Sequence, residues 1–160
     1  MAVLKLLALA AATGRVGYVY LVGGHVKDWR ISEKAAKSPE AAAEAAQKWI
    51  NELQPDVVVT EKAEQATKKG DKTKAIIAAI ASTAEHNYLL DVSVARGHEH
   101  PTKYEEAAAL AERHPEVAAW VPKKRRLFDN EPRNTVLFEA LSLAETVLRG
   151  PTPALARAMG

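Results

Sequence analysis

The chain has 160 residues, of which 48% are hydrophobic and 26% charged, a balance typical of one soluble globular domain. It contains no cysteine, which excludes disulfides, thiolate zinc sites, iron–sulfur clusters and cysteine nucleophiles. The 22 basic and 20 acidic side chains nearly balance, so a surface that binds a polyanion must be a local one.

The first apolar run, residues 6–12, imitates a secretory signal because a lysine precedes it and an Ala-Xaa-Ala sequence ends it. We interpret it as a strand, since it is short for such a signal and a second strand-like run follows it closely. The later apolar runs are far shorter than the roughly 18 residues that span a bilayer. We therefore expect a cytoplasmic protein that has no membrane partner.

The chain opens with three predicted strands, at residues 3–10, 16–22 and 25–31. The second is rich in the β-branched and aromatic residues that suit a pleated sheet. Gly23 and Gly24 then provide two positions that can adopt a positive φ, as a tight hairpin requires. Lys27, Asp28 and Arg30 place charges on the third strand, which is typical of a sheet edge. This pattern predicts an antiparallel meander.

Helices and two further strands alternate along the rest of the chain. Ser38 and Pro39 suit the start of a helix, and Pro55 follows its end. The apolar segment 56–60 is typical of a parallel strand covered on both faces, whereas the alternation at 90–94 indicates a half-exposed strand. The other predicted helices are 72–85, 102–113 and 134–148.

The apolar character of each strand predicts its place in the sheet. The first and fourth strands are the most uniformly apolar and belong in the middle, and the charged third and fifth strands belong at the edges. Right-handed crossovers then give the order 3-2-1-4-5, with strands one, four and five parallel. Sites in open sheets lie off the carboxyl ends of the central parallel strands, which places Ala10 and Glu61 side by side.

Three motifs occur in order on these elements. An apolar strand, a Gly-containing turn and a Gly-Tyr strand occupy residues 6–18; Pro-Asp, an apolar strand and Glu occupy 55–61; and Glu139 precedes Ala-Leu-Ser-Leu-Ala. Together they resemble the RuvC-type Holliday-junction resolvases. The resemblance implies an α/β, ribonuclease H-like fold, a five-stranded mixed sheet flanked by helices. It predicts a nuclease domain at 1–149 and a loose tail at 150–160.

The resemblance also implies a catalytic site. Glu61 and Glu139 correspond to family acids and are the candidate catalytic and metal-binding residues. Ala10 stands where the family has its first catalytic Asp, and Val136 stands where an extra ligand is common. Two magnesium or manganese ions are implied, and they need carboxylate ligands, so we expect this chain to be inactive or very slow.

Two explanations of Ala10 remain open: a natural pseudonuclease, or an aspartate that was replaced deliberately, which the intact surrounding motif favours. The alternative interpretation of Glu61 is a solvent-exposed residue just after a strand. Glu139 lies at the border of an apolar helix face, where surface glutamates are common. Three polar residues before the last helix could replace a ligand, although a capping role suits them better: Asp129, Asn130 and Glu131.

The histidines do not predict a metal site. His98 and His100 flank Glu99 in a predicted loop and lack the i, i+4 spacing of a helical metal pair. The others, His25, His86 and His114, are scattered and are expected at the surface. The sequence has no phosphate-loop or dinucleotide-binding signature, so we expect no nucleotide cofactor. Three aromatic residues could stack on a base, but core packing is their default role: Tyr18, Tyr104 and Phe128.

Two groups of basic residues flank the predicted acidic site along the chain. A charge run is usually a solvated face, but two runs beside one carboxylate site are better explained by phosphate contacts. The candidate nucleic-acid-binding residues are Arg15, Lys68, Lys69, Lys72, Lys74, Lys123, Lys124, Arg125 and Arg126. A protein that recognises a branched junction reads its shape and backbone more than its bases.

The first functional hypothesis is a metal-dependent, structure-selective endonuclease for branched DNA such as Holliday junctions, with its site disabled in this chain. The alternatives are a catalytically dead nucleic-acid-binding module and an RNA-processing nuclease on the same fold. We also expect a homodimer, as the resemblance implies. The predicted helix 72–85 carries small and apolar side chains on nearly all sides. The sheet can bury one side, and a second protomer is a natural partner for the other.

Overall fold

One five-stranded sheet organises the protein, in the order β3-β2-β1-β4-β5. The computed structural model describes residues 3–66, 69–87, 90–94, 103–122 and 134–149. The strands are β1 Lys5–Ala12, β2 Arg15–Val22, β3 His25–Ser32, β4 Val57–Glu61 and β5 Leu90–Val94. β1, β2 and β3 pair antiparallel, whereas β4 pairs parallel with both β1 and β5. The predicted strand order and directions are therefore confirmed.

The described residues form four α-helices, which are α1 Pro39–Leu53, α2 Asp71–Glu85, α3 Lys103–Arg113 and α4 Thr135–Arg149. The α1 start is the predicted one, because Ser38 Oγ accepts a hydrogen bond of 3.0 Å from the Ala41 amide and Pro39 follows it. The helix ends at Gln54, which adopts a left-handed φ of 48° before Pro55. Within the described residues, no helix is both long and apolar enough to cross a membrane.

The first strand is longer than predicted and does not stop at Ala10. It continues to Ala12 because the β1–β2 ladder runs without a break to the pair formed by Ala12 and Arg15. The chain reverses at Thr13 and Gly14, where Gly14 has a φ of +76°. Ala10 therefore lies inside a paired strand.

Both faces of the sheet are covered. Alternate residues of β1, including Ala8 and Ala10, belong to the core on the α4 side, while Leu7 and Leu9 belong to the core under α1 and α2. α4 contacts all five strands and also α3. It is consequently buried along nearly its whole length, and Glu139 is only 2% exposed. Glu139 is therefore not the surface glutamate that the sequence pattern left open as an alternative.

The apolar side chains of α2 are covered within one chain. Ile76, Ile77 and Ile80 are each 2% exposed and pack in the core shared with α1 and the sheet. The exposed positions of α2 include Ala75 and Ala78. Burial of the isoleucines by α1 therefore removes them from the argument for a dimer, which the sequence pattern alone had suggested.

Candidate acidic site

The site lies at the carboxyl ends of β1 and β4. The parallel ladder pairs Ala8 with Val59, and two further residues along each strand place Ala10 level with Glu61. Ala8, Ala10 and Val59 all belong to the core on the α4 side. Because side chains alternate along a strand, Glu61 lies on that same face. Position 10 and Glu61 thus point toward α4 from adjacent strands.

A glycine lets α4 approach this part of the sheet. Gly17 is the cross-strand partner of Ala10. A Cβ atom at Gly17 would lie 3.1 Å from Cγ1 of Val136 and 3.2 Å from the carbonyl oxygen of Arg30. Val136 lies one turn before Glu139 and is 1% exposed. Its close contact with β2 therefore sets the height of the Glu139 carboxylate above the strand ends.

Lys69 brings the two predicted acids together. Its ammonium Nζ lies 3.2 Å from Glu61 Oε2 and 3.7 Å from Glu139 Oε2. The same nitrogen donates a hydrogen bond of 2.7 Å to the carbonyl oxygen of Ala11. The two carboxylates are therefore no farther apart than the sum of the two ion-pair distances. Glu61 and Glu139 therefore lie close together, and position 10 is level with Glu61 on the neighbouring strand.

The pocket is shielded from solvent. Glu61 is 5% exposed, and 17% of the Lys69 side chain is exposed. Glu61 Oε1 accepts a long hydrogen bond of 3.5 Å from Lys69, while Oε2 has the ion-pair contact but no hydrogen bond of good geometry to the described residues. Buried carboxylates require a nearby positive charge, because removal from water disfavours their charged form. Lys69 supplies that charge.

The residues of the pocket do not fit a centre of two divalent ions. Such ions lie about 3.5–4 Å apart and share several oxygen ligands. Here Ala10 and Val136 supply no side-chain oxygen, and an ammonium already lies beside both glutamates. Within the part of the chain that the structure describes, no group of three or more His, Cys, Asp or Glu residues is placed to hold a metal.

The predicted phosphate-binding residues differ in their exposure to solvent and in their position on the fold. Lys69 faces the buried carboxylates, a contact that charge spacing along the sequence did not indicate. Lys72 is exposed and Lys74 half-buried on the first turn of α2, and Arg15 is half-buried at the start of β2. Five candidates lie outside the described residues: Lys68, Lys123, Lys124, Arg125 and Arg126.

Other sequence predictions concern residues outside the described ranges or away from the site. The stretches 98–100 and 129–131 and also Phe128 lie outside the described residues. Tyr18 is 1% exposed, packs against Trp49 with the two rings tilted by 57° and 4.9 Å between their centroids, and donates a hydrogen bond of 2.7 Å to Asp28 Oδ2. Its predicted core role is confirmed.

One histidine is buried, contrary to the sequence expectation. His114 is 6% exposed and contacts the Glu145 carboxylate through Nε2, while Glu116 Oε2 lies 4.0 Å from its Nδ1. The Glu145 carboxylate also lies 3.5 Å from Arg113 Nε. The His114 position follows the end of α3, so its burial results from packing against α4. We interpret this cluster as structural, since it links α3 to α4.

Comparison with known proteins identifies the fold. The sequence matches no protein-family model and no curated protein. Among solved structures, Thermus thermophilus RuvC in complex with a Holliday-junction substrate is similar at a TM-score of 0.56 and 12% identity, covering 96% of this chain and 95% of that one. A second Thermus thermophilus RuvC structure gives 0.56 and 13%, covering 92% and 97%.

A viral protein shows the same similarity. The Fowlpox virus resolvase, in complex with its substrate Holliday-junction DNA, has a TM-score of 0.58 and 10% identity, covering 91% of this chain and 97% of that one. The likeness thus extends over nearly the whole length of both proteins. This chain has the RuvC-type resolvase fold, which is ribonuclease H-like, as its motifs predicted.

Proposed function

We propose that this protein binds branched DNA, such as Holliday junctions, through a nuclease-type cleft whose catalytic site is disabled at position 10. The observation that carries the proposal is the convergence of Glu61 and Glu139 beside Ala10, at the carboxyl ends of two central parallel strands. Two solved structures with this fold are complexes with Holliday-junction DNA, which supports the choice of ligand.

Basic residues beside the acidic site support a phosphate ligand. Lys72 and Lys74 follow Lys69 closely on the first turn of α2, and Arg15 follows the end of β1. All three lie near the end of the sheet at which the two glutamates meet. Cationic side chains in such positions contact phosphates, which supply most of the affinity and position the protein on the duplex.

We do not expect the chain as it stands to cut DNA. Cleavage of a phosphodiester on this fold, as the sequence resemblance implies, requires magnesium or manganese held by several acids. Position 10 is an alanine, and Lys69 neutralises one charge of the glutamate pair. Glu61 and Glu139 are nevertheless retained in a buried pocket. The proposed protein is therefore a magnesium-dependent endonuclease in an inactive form, in which the missing acid belongs at position 10.

The test is to compare this chain with the Ala10→Asp variant on a four-way junction, a flap and a linear duplex, each with magnesium. We expect both proteins to prefer the junction in binding, and only the variant to cut it. Adding Glu61→Gln to the variant must abolish the gained cleavage. If Ala10→Asp binds the junction but gains no cleavage, the disabled-nuclease account is contradicted. Equal affinity for junction and linear duplex contradicts the proposed ligand.

The second candidate function is a nucleic-acid-binding module with no catalytic use. The Lys69 contacts favour it, because they give the glutamates a structural partner within the chain. The same experiment separates the two functions. Junctions made of RNA, tested in parallel, separate a DNA-binding protein from an RNA-processing one, since only RNA presents a 2′-hydroxyl.

A homodimer is part of the proposal, because two symmetric sites suit a four-way junction. The buried isoleucines of α2 no longer argue for it. Sedimentation of the protein at tens of micromolar tests this directly. A dimer supports the proposed pairing of sites, and a monomer contradicts it.

A further inference from the structure

The acidic pocket contains a lysine that no motif of the sequence assigned to it. We propose that the Lys69 ammonium is the resident cation of this pocket and takes the place of a divalent metal ion between Glu61 and Glu139. The protein then carries a partly neutralised site that excludes metal as long as Lys69 remains in it. This proposal concerns the pocket alone and does not depend on DNA binding.

Three oxygen groups surround the ammonium, one as a hydrogen-bond acceptor and two as ion-pair partners. A lysine ammonium has three N–H donors. Three groups face it: the Ala11 carbonyl at 2.7 Å, the Glu61 carboxylate at 3.2 Å and the Glu139 carboxylate at 3.7 Å. One comes from β1, one from β4 and one from α4. The ammonium therefore links the three elements that build the pocket.

Burial makes this cation necessary to the folded chain. Glu61 and Glu139 are 5% and 2% exposed, so water contributes little to screening their mutual repulsion. Removing one partner of a buried ion pair leaves an uncompensated charge, which strongly destabilises a fold. With only 17% of its side chain exposed, Lys69 is far more enclosed than Lys48, whose side chain is 66% exposed.

The ammonium and a metal ion are mutually exclusive at this position. Both carry positive charge and need the same carboxylate oxygens, and like charges at ligand distances repel strongly in a shielded pocket. Lys69 is only eight residues from Glu61. The chain thus holds the ammonium at a high effective concentration, and a metal ion from solution must compete with it.

The first test measures manganese binding without DNA, by calorimetry and by the spectrum of the bound ion. We expect Lys69→Met to bind Mn²⁺ at least about tenfold more tightly than the parent, equivalent to about 1.4 kcal/mol. Lys69→Arg keeps the charge and should resemble the parent. Combining Lys69→Met with Glu61→Gln should remove the gain. A folded Lys69→Met protein that binds manganese no better than the parent overturns the proposal.

A second test uses the parent protein, so it does not depend on the folding of a variant. Limiting acetylation followed by peptide mass spectrometry measures the reactivity of each lysine. We expect Lys69 to react at least about tenfold more slowly than Lys48, because only 17% of the Lys69 side chain is exposed to the reagent, against 66% for Lys48. Equal rates for the two lysines in the folded protein overturn the proposal. Failure of junction binding would leave both results unchanged.

Discussion

Gly17 and Val136 are so close that a Cβ atom on the glycine would lie 3.1 Å from Cγ1 of the valine. α4 therefore rests directly on the β2 backbone at the position that pairs with Ala10. The contact sets the spacing between the helix that carries Glu139 and the strands that carry position 10 and Glu61. A residue without a side chain thus supports the geometry of the acidic pocket.

We expect Gly17→Ala to lower the free energy of unfolding by about 1–2 kcal/mol, because an added methyl group overpacks the interface between β2 and α4. Gly70→Ala is the matched control, since nothing lies within 4 Å of its added Cβ. Gly70 is the N-cap of α2, where alanine is somewhat less favourable than glycine, and we expect the control to cost less than Gly17→Ala. Urea denaturation measures both values. Equal stability of the two variants contradicts the close-contact interpretation.

Replacing Tyr18 by Phe removes a buried hydrogen bond to Asp28. We expect a loss of about 1.5 kcal/mol at pH 7, because the acceptor is a carboxylate. Tyr20→Phe is the control, since its hydroxyl lies 3.4 Å from the Leu53 carbonyl and makes a weaker bond. Urea denaturation at pH 7 compares the two variants. A larger loss for Tyr20→Phe than for Tyr18→Phe contradicts this ranking.

Ionisation of the Tyr18 hydroxyl should make the free energy of unfolding depend on pH in the alkaline range. Burial, and then the hydrogen bond to Asp28, raise the pKa of Tyr18 in the folded protein. Its stabilising contribution is complete below the unfolded pKa of about 10 and is lost as the pH rises above that value. The stability difference between the parent and Tyr18→Phe should therefore shrink between pH 9 and pH 11. A constant difference over this range would show that the tyrosine does not ionise differently on unfolding.

The cluster around His114 should be structural. We expect His114→Ala to cost about 3 kcal/mol, because it leaves the buried Glu145 carboxylate without one of its partners. His25 is exposed, and His25→Ala should change stability by less than about 0.5 kcal/mol. Denaturant unfolding with both variants tests the contrast. If His114→Ala is as stable as His25→Ala, the cluster does not hold α3 to α4.

Salt dependence tests the proposed DNA surface. The double change Lys72→Gln and Lys74→Gln should weaken junction binding and reduce the slope of log affinity against log salt by about 2, as expected for two lost phosphate contacts. The matched control is Lys5→Gln with Lys27→Gln. Both lysines are exposed and lie toward the end of the sheet opposite the acidic site. Fluorescence anisotropy over a salt series measures both. If the two double variants change junction affinity and its salt dependence equally, the DNA does not bind at Lys72 and Lys74.

Strand order and the place of Glu61 could be predicted from the sequence because they follow from local patterns. Uniformly apolar strands must be central, charged strands tolerate an edge, and parallel crossovers have one hand. Glu61 directly follows the predicted strand 56–60, so its location required no knowledge of distant contacts. The same argument places Ala10 level with Glu61 on the neighbouring strand.

The Lys69 contact could not be predicted, because it depends on how the segment after β4 returns over two strand ends. A lysine beside other lysines has the pattern of a solvated or phosphate-binding surface. Burial of His114 likewise results from the packing of α3 on α4, which no periodicity in α4 alone reveals. Charged residues at the border of an apolar face are ambiguous until the covering element is known.

The most direct test of the acidic-site account is a crystal structure of the Ala10→Asp variant soaked with manganese. We expect anomalous scattering from manganese between residue 10, Glu61 and Glu139, with the Lys69 ammonium moved away from both glutamates. A structure in which the soaked pocket holds no manganese, and Lys69 still bridges Glu61 and Glu139, would contradict the disabled-nuclease proposal, because Asp at position 10 would then not restore a metal site.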